Sequence, residues 1–139
     1  MTEARKLSLH PNSEILCEIY NSMLDNGDVV FPLGDIHIKG LDSTVKTIEA
    51  NYYGTERFKT YEEKAAAYFY FIIKDHNLTD GNKRLAVIWL KAYCKAKSIE
   101  LTNNETLDKI AVSIEDDKSS IQDQIPLIVN ILFKKQKAA

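Results

Sequence analysis

The stretch His76-Asn77-Leu78-Thr79-Asp80-Gly81-Asn82-Lys83-Arg84 gathers a proton acceptor, a carboxylate, a glycine and two cations. It is preceded by nine apolar residues in a row, Ala65 to Ile73, and followed by Leu85-Ala86-Val87-Ile88-Trp89-Leu90 and Ala92-Tyr93-Cys94. Both flanks read as helices buried on most sides. A helix starting at Asn82 or Lys83 has free amides in its first turn. They point into the loop, carry the positive end of the helix dipole and form an anion site. Gly81 lets a bulky anion approach the backbone closely. Lys83 and Arg84 add full positive charges, and Arg84 can grip two phosphate oxygens at once. Asp80 is awkward beside an anion unless a cation bridges them, and Mg²⁺ between Asp80 and two phosphates resolves the conflict. His76 is then the proton acceptor for an incoming hydroxyl. Together the parts describe phosphoryl or nucleotidyl transfer from a nucleoside triphosphate such as ATP.

Taken singly, each part has an ordinary explanation. A lone His76 reads as a helix C-terminal residue favoured by the dipole. Asp80-Gly81-Asn82 alone is a turn, and Lys83-Arg84 alone is a solvated pair. His10 and His37 have no partners in sequence and read as structural or exposed. The run Tyr68-Phe69-Tyr70-Phe71 reads as core. The assignment of chemistry rests on the combination.

The elements that must position this loop are helical. Pro11-Asn12-Ser13 opens a first helix, capped by Ser13 or Asn12. Ile15, Leu16, Ile19, Tyr20, Met23 and Leu24 recur along it at helical spacing, and Gly27 stops it. Val29 to Gly34 reads as extended or turn-like, with Pro32 and Gly34 as breakers, and Ile36-His37-Ile38 as a short strand or turn. Asp42 or Ser43 is expected to cap a short helix containing Val45, Ile48 and Ala50. Residues 51–59 break the helical period around Gly54 and read as a hairpin or exposed flap. Thr60-Tyr61-Glu62-Glu63 is a capping box that starts the first buried helix, Tyr61 to Asp75. The second runs from Asn82 or Lys83 to Lys97. Ile99-Glu100-Leu101 is a short extended link. Thr102, Asn103 or Asn104 caps a helix with Leu107, Ile110, Ala111 and Ile114 inside. Ser119-Ser120 marks a break. A last helix carries Ile125, Ile128, Val129, Ile131 and Leu132, with Pro126 expected only in its first turn. The tail from Lys134 is expected to fray. Residues 1–139 therefore read as a single all-α domain, a compact helical bundle with at most a small β-hairpin.

Composition narrows the class. The chain has 139 residues, 45% hydrophobic and 27% charged, which suits a globular domain with a real core. A formal net charge of −2 supplies no global attraction to nucleic acid or anionic lipid, so neither is expected as a partner. Cys17 and Cys94 lie among apolar neighbours and read as reduced core thiols of a cytoplasmic protein. The N-terminus lacks the apolar run of a signal peptide, and the longest apolar run is too short to span a bilayer.

The nine-residue stretch, His-x-x-x-Asp-Gly-Asn-Lys-Arg, resembles the signature of the Fic/Doc (Fido) family, His-x-Phe-x-Asp/Glu-Gly/Ala-Asn-Gly/Lys-Arg. Glu62 to Ala66 and Tyr70 to His76 also look like that family, and the resemblance is good from about Tyr52 to Cys94. It implies an all-helical fold and transfer of part of a nucleotide onto a protein hydroxyl. It further implies that His76 is the general base, that Asp80 holds Mg²⁺, and that Gly81, Asn82, Lys83 and Arg84 cradle the phosphates. The segment around Tyr52, Tyr53, Gly54, Thr55 and Phe58 lies where the family has its target-binding flap, which would offer a strand edge to the target chain.

Departures from the pattern carry information. Leu78 replaces the usual Phe as the plug beneath the loop. Val87 stands where the adenylyl-transferring branch often has a second Arg. Lys83 in the Gly position resembles the Doc (death-on-curing) branch, toxins that transfer the terminal phosphate of ATP to a translation elongation factor. The resemblance thus implies a Doc-like protein kinase toxin. Adenylylation by the same site and a phosphate-binding interaction module without turnover are its rivals. The Ser/Thr-x-x-x-Glu pattern of the family's inhibitory helix does not occur in the sequence, so an inhibitor or antitoxin would act in trans.

Overall fold

The computed structural model describes residues 8–52, 54–117 and 121–133. Six helices appear among them: α1 (Pro11–Asp25), α2 (Asp35–Glu49), α3 (Tyr61–Asp75), α4 (Asn82–Lys97), α5 (Asn104–Asp116) and α6 (Ile121–Leu132). Between α2 and α3, β1 (Asn51–Tyr52) and β2 (Thr55–Glu56) pair antiparallel as a small hairpin. Gly54 takes the positive φ, +78°, that its turn requires. The all-α bundle with one small hairpin is thus observed.

α3 is the axis of the bundle and packs against α2, α4, α5 and α6. Its burial follows from its sequence. Ala65 to Tyr70, then Ile72 and Ile73, are all buried, so the helix is covered on most sides. Small alanines allow neighbours to approach, and the aromatic and branched residues fill the space above them, each contributing about 1.5–3 kcal/mol on burial. Its start is the expected capping box: the Thr60 hydroxyl accepts from the Glu63 amide at 3.0 Å, and the Glu63 carboxylate accepts from the Thr60 amide at 3.3 Å. On α4, Trp89 lies between Tyr68 and Tyr93, its ring stacked on both at centroid distances of 4.4 and 4.7 Å.

Three local expectations are overturned. α1 is capped by His10, whose Nδ1 accepts from the Asn12 amide at 3.0 Å. Ser13 lies inside the helix and donates to Asp42 at 2.6 Å. α2 begins at Asp35, so Ile36-His37-Ile38 is helical and Asp42 and Ser43 are interior residues. Its start uses a residue type that capping rules do not anticipate: the His37 ring accepts from the Gly34 amide at 2.8 Å. Pro126 is the sixth residue of α6. The lost backbone bond there is offset by the buried face of Ile125, Ile128 and Leu132, while Pro126 itself is exposed.

Other expectations match the structure. α3 and α4 have the bounds read from sequence, Asn103 caps α5 through the Thr106 amide at 2.8 Å, and Leu101 bridges Phe133. Cys17 and Cys94 are free thiols; Cys94 lies in the core, where burial pushes it up to about 11, whereas Cys17 is only partly buried against it. The break at Ser119-Ser120 and the tail from Lys134 lie outside the described residues. No helix among the described residues is long and apolar enough to cross a membrane.

Candidate active site

The loop between α3 and α4 is built by turns at each end. His76 ends α3 in the left-handed conformation, φ 52° and ψ 51°. Gly81 precedes α4 with φ +88°. That angle favours glycine, and packing demands it as well: a Cβ at Gly81 would lie 2.7 Å from Val29 Cγ1 and 3.2 Å from Met23 Cε. Gly81 is thus pressed onto the core on the side where any other residue would collide. Between the turns, Leu78 is buried in the core, in the plug position expected for it.

Asn82 closes the loop. Its side chain is buried, accepts from the Leu78 amide and donates to the Leu78 carbonyl, both at 3.0 Å. Its side chain is thereby committed to closing the loop. No side chain caps the start of α4, so the first-turn amides are open to an anion.

These residues open onto a cavity of 810 Å³ between α4 and α5. His76, Asp80, Gly81, Asn82, Lys83 and Arg84 all line it. The six positions picked from the motif thus line one cavity, and its volume suits a nucleotide-sized ligand. Farther along, Val87 and Ile88 of α4 face Ala111 and Val112 of α5, with Lys91, Asn104 and Asp108 beyond.

Three carboxylates that sequence reasoning missed also line the cavity, Asp28, Asp108 and Glu115, and two of them approach the cations of the motif. Glu115 of α5 lies 2.9 Å from Lys83 Nζ and 4.0 Å from His76 Nε2. The bond from Lys83 holds the Glu115 carboxyl below the usual carboxylate range. Asp28, just after α1, lies 3.9 Å from Arg84. α5 is brought to the loop by Lys74, which donates to the carbonyls of Ile114 and Asp117 at the C-terminal end of that helix. One signal pointed to Glu115: it follows Ile114 and adjoins Ala111 at the edge of the apolar face of α5. Which helix that face covers is not written locally.

Among the described residues, those of the expected flap stand apart from the cavity wall. Gly54, Thr55 and Phe58 do not line it. Phe58 packs against the core, and Arg57 stacks over both Phe58 and Phe71, at 5.1 and 5.5 Å. Phe71 lies five residues before His76 on α3, so the hairpin base reaches within about one and a half turns of the loop. Thr55 and Glu56 are exposed. Tyr53 lies outside the described residues, as does the side chain of Tyr52.

A protein-family model described as Fic/DOC family matches residues 10–94, which hold the hairpin, the loop and α4 up to Cys94. The chain belongs to the Fic/DOC family. Enzymes of the Fic/DOC family in general transfer nucleotide-derived groups, use a nucleoside triphosphate with a divalent metal and act on protein targets, often paired with antitoxins. A comparison with curated proteins and one with solved structures each gave no match.

The loop offers one side chain that could hold the divalent metal used by the Fic/DOC family in general, Asp80. Among the described residues no group of three or more His, Cys, Asp or Glu side chains is placed to hold an ion. Asp80 is the single carboxylate in the loop. Asp80 would fit Mg²⁺ shared with substrate phosphates, because that ion needs few protein ligands, keeps waters and completes its shell with phosphate oxygens.

Proposed function

We propose that this protein is a Doc-like protein kinase, which transfers the terminal phosphate of ATP to a protein hydroxyl. The observation that carries the reading is the convergence of His76, Asp80, Lys83 and Arg84 on one cavity at the uncapped start of α4. The first-turn amides, Lys83 and Arg84 bind the polyphosphate. Asp80 would hold Mg²⁺, which when bound screens the charge on the phosphates and stabilises the charge that develops during transfer. His76 accepts the proton of the target hydroxyl. Its oxygen bonds to the γ-phosphorus, the bond to the β,γ-bridging oxygen breaks, and ADP leaves. Lys83 supports transfer of the γ-phosphate over adenylylation, since a side-chain cation stands where a glycine would leave the cradle open. The hairpin is the surface for the target chain, and a translation factor is the target class that the family resemblance supports.

The test is direct. The protein is incubated with Mg²⁺ and ATP labelled at the α- or the γ-phosphate in a bacterial lysate, and separately with purified elongation factor. Protein labelled from γ alone is the expected result. Label from α would establish adenylylation, and nucleotide binding without transfer of either label would leave a binding module. Expression in bacteria should slow growth and His76→Ala should relieve it; equal toxicity of the two proteins would rule out the toxin mechanism.

A further inference from the structure

A left-handed backbone at a residue other than glycine is uncommon and is worth tracing to the contacts that support it. His76 is such a residue, and what surrounds it is one face of α2. The Thr44 hydroxyl, on a residue only 5% exposed, donates to Asp75 Oδ2 at 2.6 Å and accepts from Asn77 Nδ2 at 2.9 Å. Asp75 and Asn77 are the two neighbours of His76. One turn earlier on α2 stands Gly40, where a Cβ would lie 2.4 Å from Asn77 Oδ1. One turn earlier again, His37 Nε2 lies 3.3 Å from the Thr79 hydroxyl. His37, Gly40 and Thr44 share a face of α2 by spacing, and they hold residues 75, 77 and 79. The alternate residue, His76, is left facing the cavity. Its ring is half-exposed, and Glu115 at 4.0 Å is beyond hydrogen-bond reach. The ring is therefore aimed chiefly by its backbone.

We propose that Thr44 is the positioning residue for His76: one hydroxyl clamps the residues on both sides of it and so fixes the left-handed turn that directs the imidazole into the cavity. Gly40 belongs to the same device, because only a residue without Cβ lets Asn77 reach across to Thr44. The inference rests on the reading of His76 as the proton acceptor. A proton acceptor must sit within hydrogen-bond reach of the group it deprotonates, and displacement by about 1 Å can cost on the order of 100-fold in rate.

The experiment compares Thr44→Val, which keeps the shape and removes the hydroxyl, with Thr44→Ser, which keeps the hydroxyl. In isotope-labelled full-length protein, the backbone chemical shifts and the HN–Hα coupling of His76 report its φ. In parallel, label transfer from ATP is followed at saturating nucleotide and across an ATP titration. Thr44→Val should shift the His76 reporters and slow transfer roughly 10- to 100-fold with the half-saturating ATP concentration unchanged. Thr44→Ser should restore both. If Thr44→Val merely lowers the unfolding temperature while the His76 coupling and the rate stay at wild-type values, the clamp is disproved. If the wild type transfers no label, the functional reading fails on its own, and the His76 reporters alone then decide the clamp. Should Thr44→Val not fold, Gly40→Ala gives the same test, since alanine suits a helix and displaces the Asn77 side chain.

Discussion

Two charge clusters sit at the two ends of α3, and they are built on opposite plans. Near its start, Glu49 accepts from Tyr68 at 2.6 Å, from Lys64 at 2.9 Å and from Asn12 at 3.2 Å, and Lys64 also reaches Glu56 at 3.3 Å. The side chains of Lys64 and Glu49 are only 21% and 17% exposed. Burial raises the Glu49 carboxyl, but the bonds from Tyr68 and Lys64 outweigh it and hold the group below its usual range. At the far end, Lys83 meets Glu115 and Arg84 stands 3.9 Å from Asp28, with all four side chains at least 36% exposed. A lysine has three donors and an arginine five, so both cations keep donors to spare. Exposed pairs of this kind contribute little to stability. The first cluster is closed and ties α1, α2, the hairpin and α3 together. The second is open, and its unspent donors face a cavity.

That contrast can be broken by substitution. The largest effect is expected from His76→Ala, which should cut label transfer by about 100-fold or more while the unfolding temperature stays in place; retained transfer would remove His76 from the chemistry. At the closed end, Tyr68→Phe deletes one hydroxyl from the Glu49 cluster. Urea unfolding should show a loss of about 1–2 kcal/mol and calorimetry an unchanged affinity for ATP. A parallel fall in ATP affinity would mean that the two ends are coupled after all.

Asp42 offers a pH-dependent version of the closed plan. Desolvation raises its carboxyl, yet bonds from Lys46, Ser13 and the His10 amide bring it below the ordinary carboxylate value of 3.8. A group depressed on folding adds stability above its unfolded pKa and loses that contribution as pH falls through the folded value. Asp42→Asn should therefore destabilise the protein at pH 7, and the gap from wild type should close as pH drops below 3.8, as urea midpoints in the two ranges would reveal. A gap of constant size would assign the loss to packing. The smallest effect belongs to the open end. Glu115→Gln should leave the unfolding temperature unchanged and tighten ATP binding roughly two- to fivefold, because Lys83 loses a competitor for phosphate. Weaker binding would show instead that Glu115 orients Lys83.

Much of the scaffold was legible because its signals are local. Thr60 and Glu63 announce the start of α3 by chemistry between near neighbours, and Gly81 announces the start of α4. The motif residues of the loop were legible for the same reason, and they do line one cavity. α2 was misread because two of its determinants are unusual or remote. A histidine ring serves its N-terminus, and Gly40, a poor helix former, is explained by Asn77, far away in sequence. Pro126 sits deeper in α6 than local rules permit because burial of its neighbours compensates. Asn82 was assigned to phosphate from its place in the motif, and its bonds to Leu78 depend on how the loop closes. Glu115 and Asp28 were not assigned to the site for a related reason: each reaches it from a segment whose docking is decided by the whole bundle.

The sandwich of Trp89 between Tyr68 and Tyr93 has a practical consequence. Trp89 is the only tryptophan in the chain, it is buried, and its two covers come from α3 and from α4 itself. Its fluorescence is therefore a built-in optical gauge of the α3–α4 seam. Emission should move to longer wavelength when the seam parts in urea and stay put when a nucleotide fills the cavity. One cuvette can then separate variants that damage the scaffold from variants that damage only the loop it carries.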